Sequence, residues 1–264
     1  MKCAPFLCVV GSAALALSSL SPFLAGASVA EGETLFLENE FLRLEFDRER
    51  GTMLRLFDKA GKIDLHSRPE LAENFRLLVA VSDDPANYVL GKDQRLAKAD
   101  LSGGRLVLRW DGPMRDAKGR SHAIQAEMTI VLAGPAAEFR FKLANRTDKK
   151  VQEVWCPGIG GLLEFGPPEG RGETTLNPPP HHAKRIGRPF GAYSASYPGQ
   201  NMGYVEIGNP AIRRGLYLGS HDPIARFRTF HFVETGAGEK SNLVFHLMHY
   251  PSIPAGGSFE SGTT

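Results

Sequence analysis

A two-residue period runs through most of this chain, and it restricts the fold more than any other feature. Ile124, Ala126, Met128, Ile130 and Leu132 alternate with Gln125, Glu127 and Thr129. Leu42, Leu44 and Phe46 alternate with Arg43 and Glu45, and Phe139, Phe141 and Leu143 with Arg140 and Lys142. Only an extended strand sends successive side chains to opposite faces, so each stretch predicts a strand with one apolar face. Further runs predict strands at Met53 to Phe57, Ile63 to Leu65, Phe75 to Val81, Leu106 to Trp110 and Val151 to Cys156. Tyr204 to Ile207, Gly215 to Leu218, Ala225 to Val233 and Leu243 to Tyr250 complete the set. Turn-forming residues lie between them, as at Asp47 to Gly51, Lys59 to Lys62 and Gly103-Gly104. About a dozen strands and no helical period predict an all-β fold of two large antiparallel sheets packed face to face. No repeat of fixed length occurs, which argues against a propeller or β-helix.

The opening segment reads differently. Met1-Lys2 is followed by an apolar run from Ala4 through Ala25, then by Ala27-Ser28-Val29-Ala30 and the acidic Glu31 and Glu33. A basic start, an apolar middle and a small-residue end are the layout of a secretory signal peptide, so residues 1–30 are expected to be removed after Ala30. Ser18, Ser19, Ser21 and Pro22 interrupt the run and disfavour a permanent membrane span. The expected mature protein, residues 31–264, is secreted or periplasmic and has no membrane partner. Cys3 and Cys8 leave with the leader, so Cys156 is its only thiol and the fold rests on packing rather than disulfides. The 31 Lys+Arg and 29 Asp+Glu are interspersed, with no basic patch to suggest nucleic acid.

Residues 157–203 break the strand rhythm. This Gly- and Pro-rich stretch contains His181-His182, Arg185, Arg188, Phe190, Tyr193, Tyr197 and Asn201, and it predicts a long functional loop or a crossover between sheets. Adjacent His181 and His182 point apart on an extended chain, so no metal site is expected there, and no cofactor motif occurs. His246 and His249 fall on opposite faces of one strand and are expected to be packing and surface residues. Cys156, beside Trp155 and before Pro157, reads as a buried, inert thiol. Glu153, Glu164, Glu206 and Asp222 are the carboxylates near the loop, with no spacing that pairs them as glycoside chemistry requires. Tyr197-Pro198-Gly199-Gln200-Asn201 and Ser220-His221-Asp222-Pro223 combine aromatic faces with hydrogen-bonding groups, the mixture a saccharide site needs. Tyr197, Asn201, His221, Asp222, His181 and Arg185 are therefore the candidate substrate-binding residues.

Leu37 to Asp47, with the hairpin Gly51 to Lys59, resembles the first strands of a galactose-mutarotase-like β-supersandwich. Tyr197-Pro198-Gly199 and Gly215 to Pro223 resemble the same region of secreted bacterial glycoside-hydrolase-like proteins. The resemblance covers most of residues 34–260 and implies one sandwich domain, residues 31–264, with carbohydrate, an oligo- or polysaccharide, as its partner. In such proteins a C-terminal barrel follows the sandwich and carries the acid and base carboxylates, so this domain is expected to bind or orient a glycan without a complete catalytic set. Two alternatives stay open: a self-contained epimerase or polysaccharide lyase, and a non-enzymatic surface or adhesion module.

Overall fold

The computed structural model of the chain describes residues 33–65, 68–163, 173–179, 184–185, 191–199, 202–235 and 242–264. The expected leader, His181, His182, Asn201 and Glu164 lie outside the described residues, as does the side chain of Arg185.

The chain opens with a meander of β1 (Thr34–Glu38), β2 (Leu42–Asp47), β3 (Met53–Asp58) and β4 (Ile63–Asp64). A 3₁₀ turn at Pro69–Leu71 leads into β5 (Arg76–Leu78) and β6 (Tyr88–Leu90). Next come β7 (Lys98–Ser102), β8 (Arg105–Trp110), the short β9 (Met114–Arg115) and β10 (Ser121–His122), and the long β11 (Ile124–Ala133), β12 (Ala136–Asn145) and β13 (Glu153–Leu163). The remainder supplies β14 (Thr175–Asn177), β15 (Lys184–Arg185), β16 (Ala192–Tyr197), β17 (Tyr204–Asn209), β18 (Arg214–Gly219), β19 (Arg228–Thr235), β20 (Asn242–His249) and β21 (Ser258–Glu260). Every pairing among these strands is antiparallel.

The all-β expectation holds, but among the described residues the strands divide into five sheets rather than two. A six-stranded sheet, β16-β19-β20-β13-β5-β6, and a five-stranded sheet, β21-β12-β11-β8-β7, are the largest. The smaller sheets include strands of two or three residues such as β9 and β14, too short to show a period. Strands β13 to β16 also run through the segment expected to be a loop. A single hydrophobic core joins the layers: Leu44, Leu77, Leu106, Ile130, Phe230 and Phe245 are fully buried within it. Phe75 anchors its centre, edge-on to Trp110 at 5.0 Å and tilted on Phe141 at 5.1 Å. Each such side chain stabilises the fold by about 1.5–3 kcal/mol through area removed from water.

One feature of β13 sets the position of everything around it. The strand is bulged, its pairing with β20 slipping between Trp155 and Gly158, and it continues as Gly158-Ile159-Gly160-Gly161. The chain from the 3₁₀ turn to Asn74 lies directly on these glycines. Gly158 N–H donates to the Asn74 carbonyl at 2.6 Å. A Cβ on Gly160 would sit 1.6 Å from the Leu71 carbonyl oxygen, so no other residue fits there without moving backbone. Gly160→Ala is therefore expected to destabilise the protein by roughly 2 kcal/mol or more, the cost of a buried backbone clash. Gly103→Ala, at φ 57 in open space, should cost only about 1 kcal/mol of backbone strain. Urea melts of the two variants check this, and equal losses would refute the close-approach argument.

Candidate functional site

The two faces of the six-stranded sheet differ in chemistry. Leu77, Val89, Ala195, Phe230, Phe232 and Phe245 face the core. One residue along each strand, the opposite face presents Tyr88, Arg76, Trp155, His246, His231 and Ser194. Pairing sets these in a band across the sheet: Arg76 lies opposite Trp155, His246 opposite His231, and His231 opposite Ser194.

Trp155 is the centre of the band. Its half-buried indole meets Tyr88 edge-on at 5.3 Å, His246 at 5.4 Å and His231 at 5.5 Å, and the Arg76 guanidinium stands 5.7 Å from the ring centre. The indole N–H donates to Glu153 Oε2 at 2.7 Å, which fixes the ring's orientation. Ser194 Oγ and His231 Nδ1 are hydrogen-bonded at 2.9 Å.

Glu73 enters from the segment lying on the β13 glycines. It is only 3% exposed, and its Oε1 accepts from Arg76 Nη2 at 2.9 Å and from Lys92 Nζ at 3.0 Å. Its Oε2 stands 3.8 Å from His246 Nε2, within ion-pair reach but too far for a hydrogen bond. Glu73 Oε2, His246 Nε2 and Arg76 Nε are buried with no hydrogen-bond partner among the described residues. Buried polar atoms are rarely left unpaired, so three in one cluster set this place apart from the rest of the fold.

Electrostatics assign the charge states. Burial pushes the Glu73 carboxyl up, but His246 once it is protonated, together with Arg76 and Lys92, outweighs it and brings the group down to about 2. Burial pulls both His246 and His231 below their usual value, and Arg76 adds to each shift. A neutral His246 brings no charge to Glu73, so at neutral pH Arg76 and Lys92 hold the anion. The cluster thus presents an ionised carboxylate, a guanidinium and two neutral imidazoles beside an aromatic face. It can accept and donate hydrogen bonds, and either imidazole can take up a proton. No group of three or more His, Cys, Asp or Glu at metal-binding separation occurs among the described residues.

The candidate residues read from the sequence lie elsewhere in so far as they are described. Tyr197 ends β16 on the face opposite Ser194, and Arg228 stands 5.9 Å from its ring. Asp222 Oδ1 accepts from the Ile224 N–H at 2.9 Å, and Oδ2 lies 3.5 Å from both Arg226 and Arg228. Arg228, 1% exposed, bonds Ser220 Oγ and the carbonyls of Ile224 and Arg226, so it ties the whole 220–226 turn to β19. His221 is exposed, with Nε2 3.5 Å from the Tyr217 hydroxyl. The backbone of Arg185 lies in β15, paired with Thr175. His246 and His249 do take opposite faces, but both are buried, and His249 Nε2 lies 3.1 Å from the Cys156 carbonyl. Cys156 is buried, and burial pushes its thiol well above the usual range. Sequence reading missed Glu73, Arg76, Tyr88 and His231, and it placed Trp155 only as a neighbour of Cys156. The available signal was Arg76 inside the apolar run Phe75 to Val81, a charge where the pattern expected none.

A cavity of about 990 Å³ lies on the other side of the same sheet, bounded by Phe245 and Ile159. Its inner walls are alkyl and aromatic, so it offers no acid–base chemistry comparable to the Glu73 cluster.

These charge states make stability depend on pH. His249 is held at about 4, against about 6.5 for a free imidazole, by burial. A lowered histidine contributes stability that is fully present above about 6.5 and lost as pH falls through its folded value. Full protonation of His249 costs on the order of 3 kcal/mol. His231 and His246 act in the same direction, and Glu73 adds a loss only as pH falls from about 4.5 toward 2. Melting temperature should therefore be flat above pH 6.5 and fall between pH 6.5 and 4, with a shallower fall in His249→Gln. A melting temperature that rises over that interval would contradict the buried neutral histidines.

No protein family matches the sequence, and neither does any curated protein. Solved structures do match the fold. A galactose mutarotase-like protein from Lactobacillus casei superposes with a TM-score of 0.58 at 9% identity, over 88% of this chain and 98% of that one. A galactose mutarotase related enzyme from Lactobacillus acidophilus gives 0.52 at 8%, over 87% and 95%. A 4-α-glucanotransferase from Thermococcus litoralis gives 0.58 at 8% and 88% coverage of this chain, which spans only 37% of that protein. At such identities the likeness concerns architecture alone: the chain has the galactose mutarotase-like β-supersandwich fold.

Proposed function

We propose that this protein binds a carbohydrate on the polar face of its six-stranded sheet, acting outside the cytoplasm as a glycan-associated domain. The observation that carries the reading is the cluster of Glu73 Oε2, Arg76 Nε and His246 Nε2, buried without hydrogen-bond partners beside the half-buried Trp155 indole. A sugar ring presents just the complement: C–H faces that stack on an aromatic ring, and hydroxyl groups that both donate and accept. The fold's likeness to proteins whose names denote sugar chemistry supports the same reading. A second reading, sugar epimerisation by this chain alone, is favoured by neutral His246 standing 3.8 Å from ionised Glu73, since proton transfer needs an acceptor and an oriented partner.

Trp155 provides the test. The chain has two tryptophans, and Trp110 is 1% exposed in the core, so ligand-dependent emission reports on Trp155. Titration with a panel of neutral mono- and oligosaccharides should give a saturable change. Trp155→Ala and Arg76→Gln should each weaken binding at least about tenfold, roughly 1.4 kcal/mol, in isothermal titration. Absence of any saccharide ligand, or unchanged affinity in both variants, would defeat the reading. Anomer interconversion followed by proton NMR separates the second reading from the first: turnover that disappears in His246→Gln would promote it.

A further inference from the structure

We propose that the cavity behind the six-stranded sheet is a second ligand site, independent of the saccharide face, for a single-chain amphiphile with an anionic head group, such as a free fatty acid. The cavity of about 990 Å³ lies between the β2–β4 strands and the β17–β18 hairpin. Leu44, Met53, Leu56, Ile159, Leu218 and Phe245, all buried, form its inner wall. The volume is at the upper end of the small-molecule range, about 300–1,000 Å³. Walls of this kind give water too few hydrogen-bond partners to be a good solvent for them, so an apolar body is the solute that fits.

The rim has the opposite character. Arg140, Arg213, Arg214 and His221, all exposed, border it, together with the carboxylates Asp58 and Glu138. Asp58 is engaged across the mouth by Arg214 at 3.9 Å. Arg140 donates to Thr263 Oγ1, and neither Arg140 nor Arg213 has a carboxylate partner among the described residues. Arg214 is thus engaged, while Arg140 and Arg213 have no ion pair among the described residues and can meet an anionic head group. Arg213 is also held in the left-handed region, at φ 52, in the turn that joins β17 to β18. An alkyl chain in the cavity with its carboxylate among these arginines satisfies both the wall and the rim.

The test is isothermal titration of the intact protein with laurate below its micelle concentration. Saturable one-site binding, accompanied by a rise in melting temperature, is expected. Leu216→Trp, which places bulk in the cavity, should weaken laurate at least tenfold, and Ala137→Phe does the same if the first variant does not fold. Arg213→Glu should weaken laurate several-fold and leave dodecanol unchanged, because only the head group has lost its partner. Trp155→Ala should leave laurate binding intact, which separates this site from the saccharide face. No saturable laurate binding, tighter binding of dodecylammonium than of laurate, or full affinity in a correctly folded Leu216→Trp would each overturn the proposal.

Discussion

The contact between the Leu71–Asn74 backbone and the glycines of β13 is the constraint on which the site depends. Gly158 and Gly160 have no Cβ, and that absence lets a second stretch of chain lie at hydrogen-bond distance from a strand that is also paired within its sheet. The same absence leaves room for the His246 ring, whose Nε2 would be 3.0 Å from a Cβ on Gly158. Glu73 is thereby carried into a place where burial alone would keep it neutral. It remains ionised because Arg76 and Lys92 arrive from β5 and from the turn after β6. Removing either partner of a buried charge leaves the other uncompensated, so Glu73, Arg76 and Lys92 behave as one unit.

A single sheet serves two unlike environments because its side chains alternate. Phe245 closes the wall of an apolar cavity, and His246, the next residue, meets Trp155 and Glu73 on the opposite side. The bulge between Trp155 and Gly158 resets the pairing, and such an irregularity beside a polar cluster re-aims side chains that a regular ladder would place elsewhere. The Arg228 staple at the sheet's far corner does a different task. It fixes the 220–226 turn through Asp222, Ser220 and two carbonyls, which brings His221 to the rim of the cavity.

The legible parts of the fold were those with enough residues to show a period. β11, ten residues long, could be read nearly end to end, as could β2, β19 and β20, while β12, of the same length, was read only from Phe139 to Leu143. β9 and β15, two residues each, could not be read, since two positions define no alternation. β13 was cut short because Pro157 and three glycines read as breakers, when the glycines in fact serve a close backbone approach. The likeness to a mutarotase-type supersandwich was legible in the first hairpins, but the candidate site residues were taken, on their chemistry, from segments rich in aromatics and turns. The polar face escaped because its members come from six different strands, with no shared spacing in the chain.

Composition and periodicity by themselves determined an all-β, antiparallel architecture built around a packed core, since alternation of apolar and polar residues is a local property of each strand. The division into five sheets, the burial of Glu73 among Arg76, Lys92 and His246, and the apolar cavity behind Phe245 were decided only by tertiary structure. Each of these depends on which strands become neighbours, and that follows from long-range packing and from glycines whose value lies in what they allow another segment to approach.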